Sequence, residues 1–335
     1  MKRSYYLFND GRMSRKDNTL CFVARDKEGH EQPAKYIPIE TIESMYVFGA
    51  LDVNAALLNL LGQQSITLHF FDFYEHYTGS FMPKEYLLAG KMQIEQTKAY
   101  LNKKKRCHLA SRFVEGAMYN IVKNLKYYDH RNRELEPYIK SIEDNVAQLG
   151  QCKDVPSIMG IEGICRHSYY QCWNQILPGF EMKERTRQPP SNEVNAMISF
   201  GNMICYTLCL STIYHTQLNP TISFLHEPGY RRYSLALDIA EIFKPILVDR
   251  VIFRVLNKKE IQSDDFDSKL NGCYLGAAGK KIFLKVWEEK LAETIKHRTL
   301  GKSVSFKQLI RLECYKISKY ILGDTPEYEP FKIWW

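Results

Sequence analysis

Near Tyr86 the hydrophobic period of the chain changes, and this limits the possible architectures more than any other feature. Before that point short β-branched and aromatic runs alternate with turn residues. After it, apolar residues recur at three- and four-residue spacing to the end. The runs Tyr5–Phe8, Thr19–Ala24, Lys35–Ile39, Ser44–Phe48 and Ser65–Phe71 read as strands, punctuated at Asn9-Asp10-Gly11, Asp26–Gly29 and Gly62. One helix, Val53–Leu61, is expected among them, capped by Asp52 or a neighbour. The later pattern predicts helices over Lys91–Leu101, Cys107–Tyr128, Glu134–Leu149, Val155–Ile176, Asn192–His215, Tyr233–Leu256, Lys280–Lys296 and Phe306–Ile321. Pro189-Pro190-Ser191-Asn192 supplies a rigid approach and an N-cap oxygen, Gly301 through Ser303 opens the last helix, and Gly323 closes it. The expected fold class is α+β and multi-domain: a small N-terminal β-sandwich-like domain over residues 1–85, then a larger all-α domain over 86–335.

Charge divides along the same line. Residues 1–85 carry nine Lys/Arg against eleven Asp/Glu, so the whole net charge of +8 belongs to the helical part. A basic helical domain beside a mildly acidic β domain suggests a polyanionic partner for the former. Lys103-Lys104-Lys105-Arg106 and Lys183-Glu-Arg185-Thr-Arg187 are its densest clusters. Tyr169, Tyr170, Trp173 and Tyr230 offer rings for unpaired bases, although aromatics at helical spacing more often belong to a core. Nine cysteines without CxxC spacing, together with the lack of a secretory leader, point to reduced thiols and the cytoplasm. Cys205 and Cys209 read as core residues of an apolar helix. No uninterrupted apolar run has the length of a bilayer span; Val194–Leu210 comes closest but contains Asn195, Ser199, Asn202 and Tyr206. The apolar tail Tyr328–Trp335 is expected to dock on a neighbour, with another subunit as one possible host.

The stretch from Phe224 to Glu241 concentrates the chemistry. His226 precedes a Pro228-Gly229 turn, Arg231 and Arg232 follow, and Asp238 and Glu241 share one helical face at i, i+3 spacing. Earlier, Glu162 stands in an apolar Ile161-Glu162-Gly163-Ile164 context, where an unpaired carboxylate would be costly. Each has an ordinary counterpart: an ion pair of Glu162 with Arg166, a satisfied loop histidine, and a surface pair of Glu241 with Lys244. Taken together, two glutamates, an imidazole and a nearby aspartate form an oxygen-rich donor set suited to Mg²⁺ or Mn²⁺ rather than structural Zn²⁺. Such an ion acts as a Lewis acid on a phosphoryl oxygen. Arg231 and Arg232 are placed to hold adjacent phosphates.

The residues also resemble a known family, the CRISPR-associated integrase Cas1. The matching pieces lie in family order along essentially the whole chain: the N-terminal Tyr-Leu-Phe-Asn-Asp-Gly-Arg, Gly160-Ile-Glu162-Gly-Ile, Arg185-Thr-Arg-Gln-Pro189-Pro190-Ser-Asn-Glu-Val-Asn195, Leu225-His226, and Ser234-Leu-Ala-Leu-Asp238-Ile-Ala-Glu241-Ile-Phe-Lys-Pro245. The resemblance implies that Glu162, His226 and Glu241 ligate the divalent ion while Asp238 supports the site. Some members carry Asp where Glu241 stands, which keeps the donor type and changes its reach. It further implies a metal-dependent endonuclease and integrase that inserts new spacers into a CRISPR array. The 3′-hydroxyl of a short double-stranded DNA attacks a phosphodiester at the leader–repeat boundary, and a second attack follows at the far end of the repeat. The implied partners are this DNA, the CRISPR repeat DNA, a second copy of the chain joined through the β domain, and the small Cas2 adaptation protein, with no membrane. DNA contacts are expected at Arg185, Arg187, Tyr230, Arg231 and Arg232. Two rivals remain at this level, a stand-alone metal-dependent nuclease and a non-catalytic nucleic-acid-binding scaffold. A neighbouring CRISPR array and a small companion gene would separate them from the integrase.

Overall fold

A computed structural model describes residues 2–84, 87–131, 133–229, 233–269 and 272–334. The chain divides into two compact units, Met1–Leu87 and Leu88–Trp335.

The first unit contains β1 (Arg3–Leu7), β2 (Gly11–Lys16), β3 (Thr19–Ala24), β4 (Lys35–Pro38), β5 (Ile42–Val47), β6 (Leu51–Asp52), α1 (Ala55–Gln63), β7 (Thr67–Phe71) and β8 (Tyr77–Phe81). They form two four-stranded sheets, ordered β1-β5-β7-β8 and β4-β3-β2-β6. Period-2 alternation drives this arrangement. In β3, Leu20, Phe22 and Ala24 turn inward while Thr19, Cys21 and Val23 are partly exposed. Met13 and Leu20 from one sheet, Met45 and Leu68 from the other, and Leu57, Leu60 and Leu61 from α1 belong to one apolar cluster. The β-sandwich-like character expected from the sequence is therefore present. Three strands of this unit escaped the sequence reading: β2, the two-residue β6 and β8. The polar residues of β2 conceal its inward Gly11 and Met13, and a side chain at Gly11 would lie 2.3 Å from the Val23 carbonyl oxygen. In β8, the weakly strand-forming Tyr77–Phe81 is held antiparallel to β7, with Ser80 Oγ 2.6 Å from His69 Nδ1. The cap of α1 is Asn54, which accepts from Leu57 N at 3.0 Å, rather than Asp52.

The second unit is helical: α2 (Gly90–Leu101), α3 (Lys103–Asp129), α4 (Glu136–Val146), α5 (Val155–Gln171), α6 (Trp173–Ile176), α7 (Glu193–Tyr214), α8 (Ser234–Lys244), α9 (Arg250–Asn257), α10 (Ala277–Ala292) and α11 (Phe306–Leu322). A π-helical turn, Pro245–Asp249, joins α8 to α9 without a break. Two hairpins interrupt the helices: β9 (Phe266–Lys269) with β10 (Gly272–Leu275), and β11 (Thr294–Lys296) with β12 (Ser303–Ser305). The expected helix to Lys296 thus ends at Ala292. The last helix is opened by a Ser305–Gln308 capping box and closed by Gly323 at φ 82°, where left-handed backbone favours glycine.

Helix α3 packs against α2, α4, α5 and α8, so it sits behind the elements that carry the candidate site. By length and composition α7 could span a bilayer, which the sequence reading had not allowed, but 78% of its most apolar window is buried inside the protein. Cys205 and Cys209 lie fully buried on it, and all nine cysteines are free thiols. The C-terminal tail docks on its own helical unit. Tyr328, Phe331 and Ile333 are buried, Pro330 covers Gly116, and Ile333 N donates to Asn120 Oδ1 at 2.8 Å. Tyr328 OH and Phe331 N both donate to buried Glu313.

Candidate active site

Three segments carry the candidate residues, one on α5 and two in the distant Phe224–Glu241 stretch, and all belong to the helical unit. The first is α5. Asp154 caps it by accepting from Ser157 N at 2.9 Å, and Pro156 occupies its first turn. Helical periodicity then buries Ile158, Ile161 and Cys165, which leaves Glu162 half-buried at the edge of that face. The second is the loop before the Pro228-Gly229 turn, which bears His226. The third is α8, whose Asp238 and Glu241 are both buried.

Asp238 is fully committed to the loop. Its Oδ2 accepts from Phe224 N (2.7 Å) and Leu225 N (3.0 Å), and its Oδ1 accepts from His226 N (2.9 Å) and lies 2.8 Å from His226 Nδ1. Three consecutive backbone amides and an imidazole thus converge on one carboxylate. A carboxylate beside Nδ1 fixes the tautomer with the proton on Nδ1, so Nε2 is the nitrogen left for other chemistry. Burial lowers the His226 pKa, but the Asp238 contact outweighs it and the imidazole ends above its ordinary value. Ser223 completes the loop by donating to His226 O at 2.6 Å, with its Oγ also 2.7 Å from Ser234 Oγ.

Glu241 has a different environment. Its Oε1 accepts from Lys244 Nζ, and its Oε2 accepts from Arg166 Nη2. The same guanidinium donates through Nε to Glu162 Oε1 at 2.9 Å. Arg166 therefore bridges Glu162 of α5 to Glu241 of α8. Burial would raise the Glu241 carboxyl, yet Lys244 and Arg166 prevail and hold its pKa at about 2. Beyond Arg166, Asp249 of the π-helical turn is 2% exposed and accepts from Tyr169 OH at 2.9 Å. Burial pushes its carboxyl up to about 7 against the opposing pull of Arg166 and Tyr169.

The structure brings Glu162 and Glu241 together through Arg166, and His226 lies within the electrostatic field of Glu241. The ordinary pairings anticipated from sequence, Glu162 with Arg166 and Glu241 with Lys244, are both present, but Arg166 also crosses between helices. Among the described residues no three His, Cys, Asp or Glu side chains stand close enough to hold a metal ion as placed. The donor chemistry nevertheless fits a hard divalent cation: two carboxylates and an imidazole whose outer nitrogen is left by its Asp238 partner.

Other residues fall elsewhere. Arg185 is largely buried, and its guanidinium donates to Asn195 Oδ1 (2.9 Å), Ser199 Oγ (2.9 Å) and Thr186 O. Arg187 is exposed. Tyr230, Arg231 and Arg232 lie outside the described residues. Tyr169 and Trp173 are wholly buried, so neither can stack on a base. Lys103, Lys104 and Lys105 are exposed, whereas Arg106 is turned onto the His226 loop. It donates to Phe224 O at 3.1 Å and to Glu227 Oε1 at 2.5 Å, and lies over the Tyr100 ring. From α2, Gln96 donates to the carbonyls of Asn219 (2.9 Å) and Ile222 (2.7 Å). The sequence reading missed these supports. A polar Gln96 at the buried register of Met92 and Ala99 was the available signal.

The class the structure defines is an α+β protein of two units, one mainly β and one helical, with two glutamates, an imidazole and a buried aspartate in the helical unit. The family model for CRISPR associated protein Cas1 matches residues 5–289, and the chain belongs to that family. It is 44% identical to a CRISPR-associated endonuclease Cas1 from Thermodesulfovibrio yellowstonii, over 99% of this chain and 100% of that protein. The structure of a CAS1 protein from Thermotoga maritima superposes with a TM-score of 0.84 at 38% identity, covering 97% of this chain and 98% of the other. A casposase bound to its integration product has the same fold, with a TM-score of 0.85 at 19% identity over 100% of this chain and 95% of that one.

Proposed function

We propose that this chain is a divalent-metal-dependent DNA endonuclease and integrase of CRISPR adaptation. The observation that carries the reading is the meeting of Glu162 and Glu241 at one guanidinium, beside an imidazole oriented by Asp238. Glu162, His226 through Nε2, and Glu241 would hold Mg²⁺ or Mn²⁺; Asp238 positions His226 and touches no substrate. When bound, the ion would supply Lewis-acid polarisation of a phosphoryl oxygen.

The chain's own residues do the rest. A free DNA 3′-hydroxyl attacks phosphorus at the leader–repeat boundary. The new 3′-oxygen–phosphorus bond forms as the bond to the former bridging oxygen breaks, and that oxygen leaves with a proton. Asp238 keeps the proton on Nδ1, so the Nε2 lone pair stays available for the ion, and the proton of the attacking hydroxyl passes to solvent, which returns one to the leaving oxygen. Water in place of the 3′-hydroxyl gives hydrolysis at the same centre. Exposed Lys103, Lys104 and Lys105 close to the His226 loop, with Arg187, supply charge for the phosphate backbone. Family membership supports the partners: captured double-stranded DNA with 3′ ends, CRISPR repeat DNA, a second copy joined through the β unit, and the Cas2 protein. The cytoplasm, where CRISPR arrays reside, follows as the site of action.

The test is to incubate the full chain, with and without Cas2, with labelled 3′-hydroxyl DNA and a leader–repeat plasmid, plus or minus EDTA. Metal-dependent covalent transfer of label to the plasmid supports the reading. Cleavage without transfer would mark a stand-alone nuclease, and binding without either reaction a scaffold.

A further inference from the structure

The two carboxylates read as metal ligands already share a cation. Arg166 Nε takes Glu162 Oε1 at 2.9 Å, and its Nη2 takes Glu241 Oε2. The contact is well enclosed, since the Arg166 and Glu241 side chains are each 11% exposed. A planar guanidinium is suited to joining two carboxylates in this way, and a compact ammonium is not. A divalent ion seeking the same carboxylates meets a fixed positive charge between them, and two cations crowded into so dry a space repel strongly. Arg166 also feels a second acidic group, Asp249, which is buried and held by Tyr169, three residues from Arg166 on α5. The guanidinium thus holds the Glu162–Glu241 pair, with the Asp249 carboxyl as a second acidic group in its field.

We infer that Arg166 is an exchangeable counter-cation of this site. Its guanidinium and the divalent ion take turns on Glu162 and Glu241, and Asp249 receives Arg166 when the ion binds. The inference rests on the metal-site reading above. Arg166 is accordingly a positioning residue that sets the ion concentration at which the site fills, which protects the carboxylates from mutual repulsion at low concentration. No bond is made or broken in the exchange.

The experiment measures Mn²⁺ binding to the full chain without DNA, by calorimetry and by the paramagnetic signal of free Mn²⁺. Arg166→Gln is expected to bind Mn²⁺ about tenfold more tightly than the unaltered protein, and Asp249→Asn about tenfold more weakly, within the range known for residues that support metal ligands. Arg166→Lys, which reaches one carboxylate at a time, should fall between Arg166→Gln and the unaltered chain, and it serves where Arg166→Gln does not fold. A purely structural role would weaken binding in every variant and cannot produce opposite signs. Equal or weaker binding by both Arg166 variants overturns the inference. Glu162→Gln and Glu241→Gln are the controls. If they leave Mn²⁺ binding intact, the metal-site reading itself falls; if they abolish it while the Arg166 variants do not tighten it, only the exchange does.

Discussion

Two regions of the candidate site lie a single helical turn apart on α8 and are built on opposite principles. Around Asp238, a buried carboxylate is surrounded by three backbone amides and an imidazole, partners that the fold cannot move. Around Glu241, a buried carboxylate is surrounded by Arg166 and Lys244, long side chains that other cations can replace. The first arrangement fixes a loop. The second stores negative charge in a form that can be handed over. A carboxylate meant to bind an incoming cation cannot spend its oxygens on backbone amides, and this difference in partner type is what supports the proposed division between Asp238 as support and Glu241 as ligand.

The largest effect is expected at the fixed region. Asp238→Ala leaves three buried N–H groups without an acceptor, which should cost on the order of 5 kcal/mol at ~1–3 kcal/mol for each unpaired group. Urea unfolding measures it, and strand transfer should vanish with the loss of His226 orientation. An unchanged midpoint would break the comparison outright. Next come Glu162→Gln and Glu241→Gln, which should lower strand transfer by roughly 10³-fold, about 4 kcal/mol of barrier. Their unfolding midpoints should move less than that of Asp238→Ala. If Glu241→Gln instead unfolds the protein while Asp238→Ala does not, the roles assigned to the two carboxylates are reversed.

A third buried carboxylate sharpens the contrast through pH. Asp249 keeps its proton in the folded state up to about 7, whereas the ordinary value is 3.8. Between these values the folded chain holds a proton that the unfolded chain has lost, so stability declines as pH rises through that window. The penalty is absent below the lower value and complete above the upper one. It amounts to about 4 kcal/mol at ~1.36 kcal/mol for each pH unit. Asp249→Asn should therefore be more stable than the unaltered chain at pH 8 in EDTA, with the advantage shrinking as pH falls and gone near pH 4. Thermal melts across pH read it directly. A variant that is less stable at pH 8 would show that Asp249 is ionised and paired in the folded chain.

What could be read in the sequence follows from the range of the interactions. The shift of period near Tyr86 announced both units, because strand and helix repeats are local. Residue types at Glu162, His226, Asp238 and Glu241 pointed to a candidate site, because oxygen-rich donor sets are distinctive. Their division of labour was hidden in contacts between segments. Nothing near Arg166 in the sequence shows that it reaches Glu241, 75 residues further on. The Pro245–Asp249 π-helical turn was likewise invisible, since Tyr233–Leu256 carries one unbroken helical pattern. The two hairpins of the helical unit are only three or four residues per strand, too short to show a period.

The smallest predicted effect tests whether the His226 loop is held from inside or outside. Asp238 grips it from α8, while Arg106 grips it from α3 through Phe224 O at 3.1 Å and Glu227 Oε1 at 2.5 Å. Tyr100 assists by donating to Glu227 Oε2 at 3.0 Å and by lying under the guanidinium, 4.4 Å from its ring centroid. Glu227 is exposed, so its ion pair is screened by water and contributes little to folding. Arg106→Ala should accordingly change unfolding by less than about 1 kcal/mol. Strand transfer should nonetheless fall about tenfold, because small misplacements of a reacting group are costly in rate. Arg106→Lys keeps the charge but loses the fork that spans the carbonyl and the carboxylate, so it should restore only part of the rate. Should Arg106→Ala destabilise the chain as much as Asp238→Ala, the loop would be held equally from both sides, and the fixed region would extend beyond α8 to include α3.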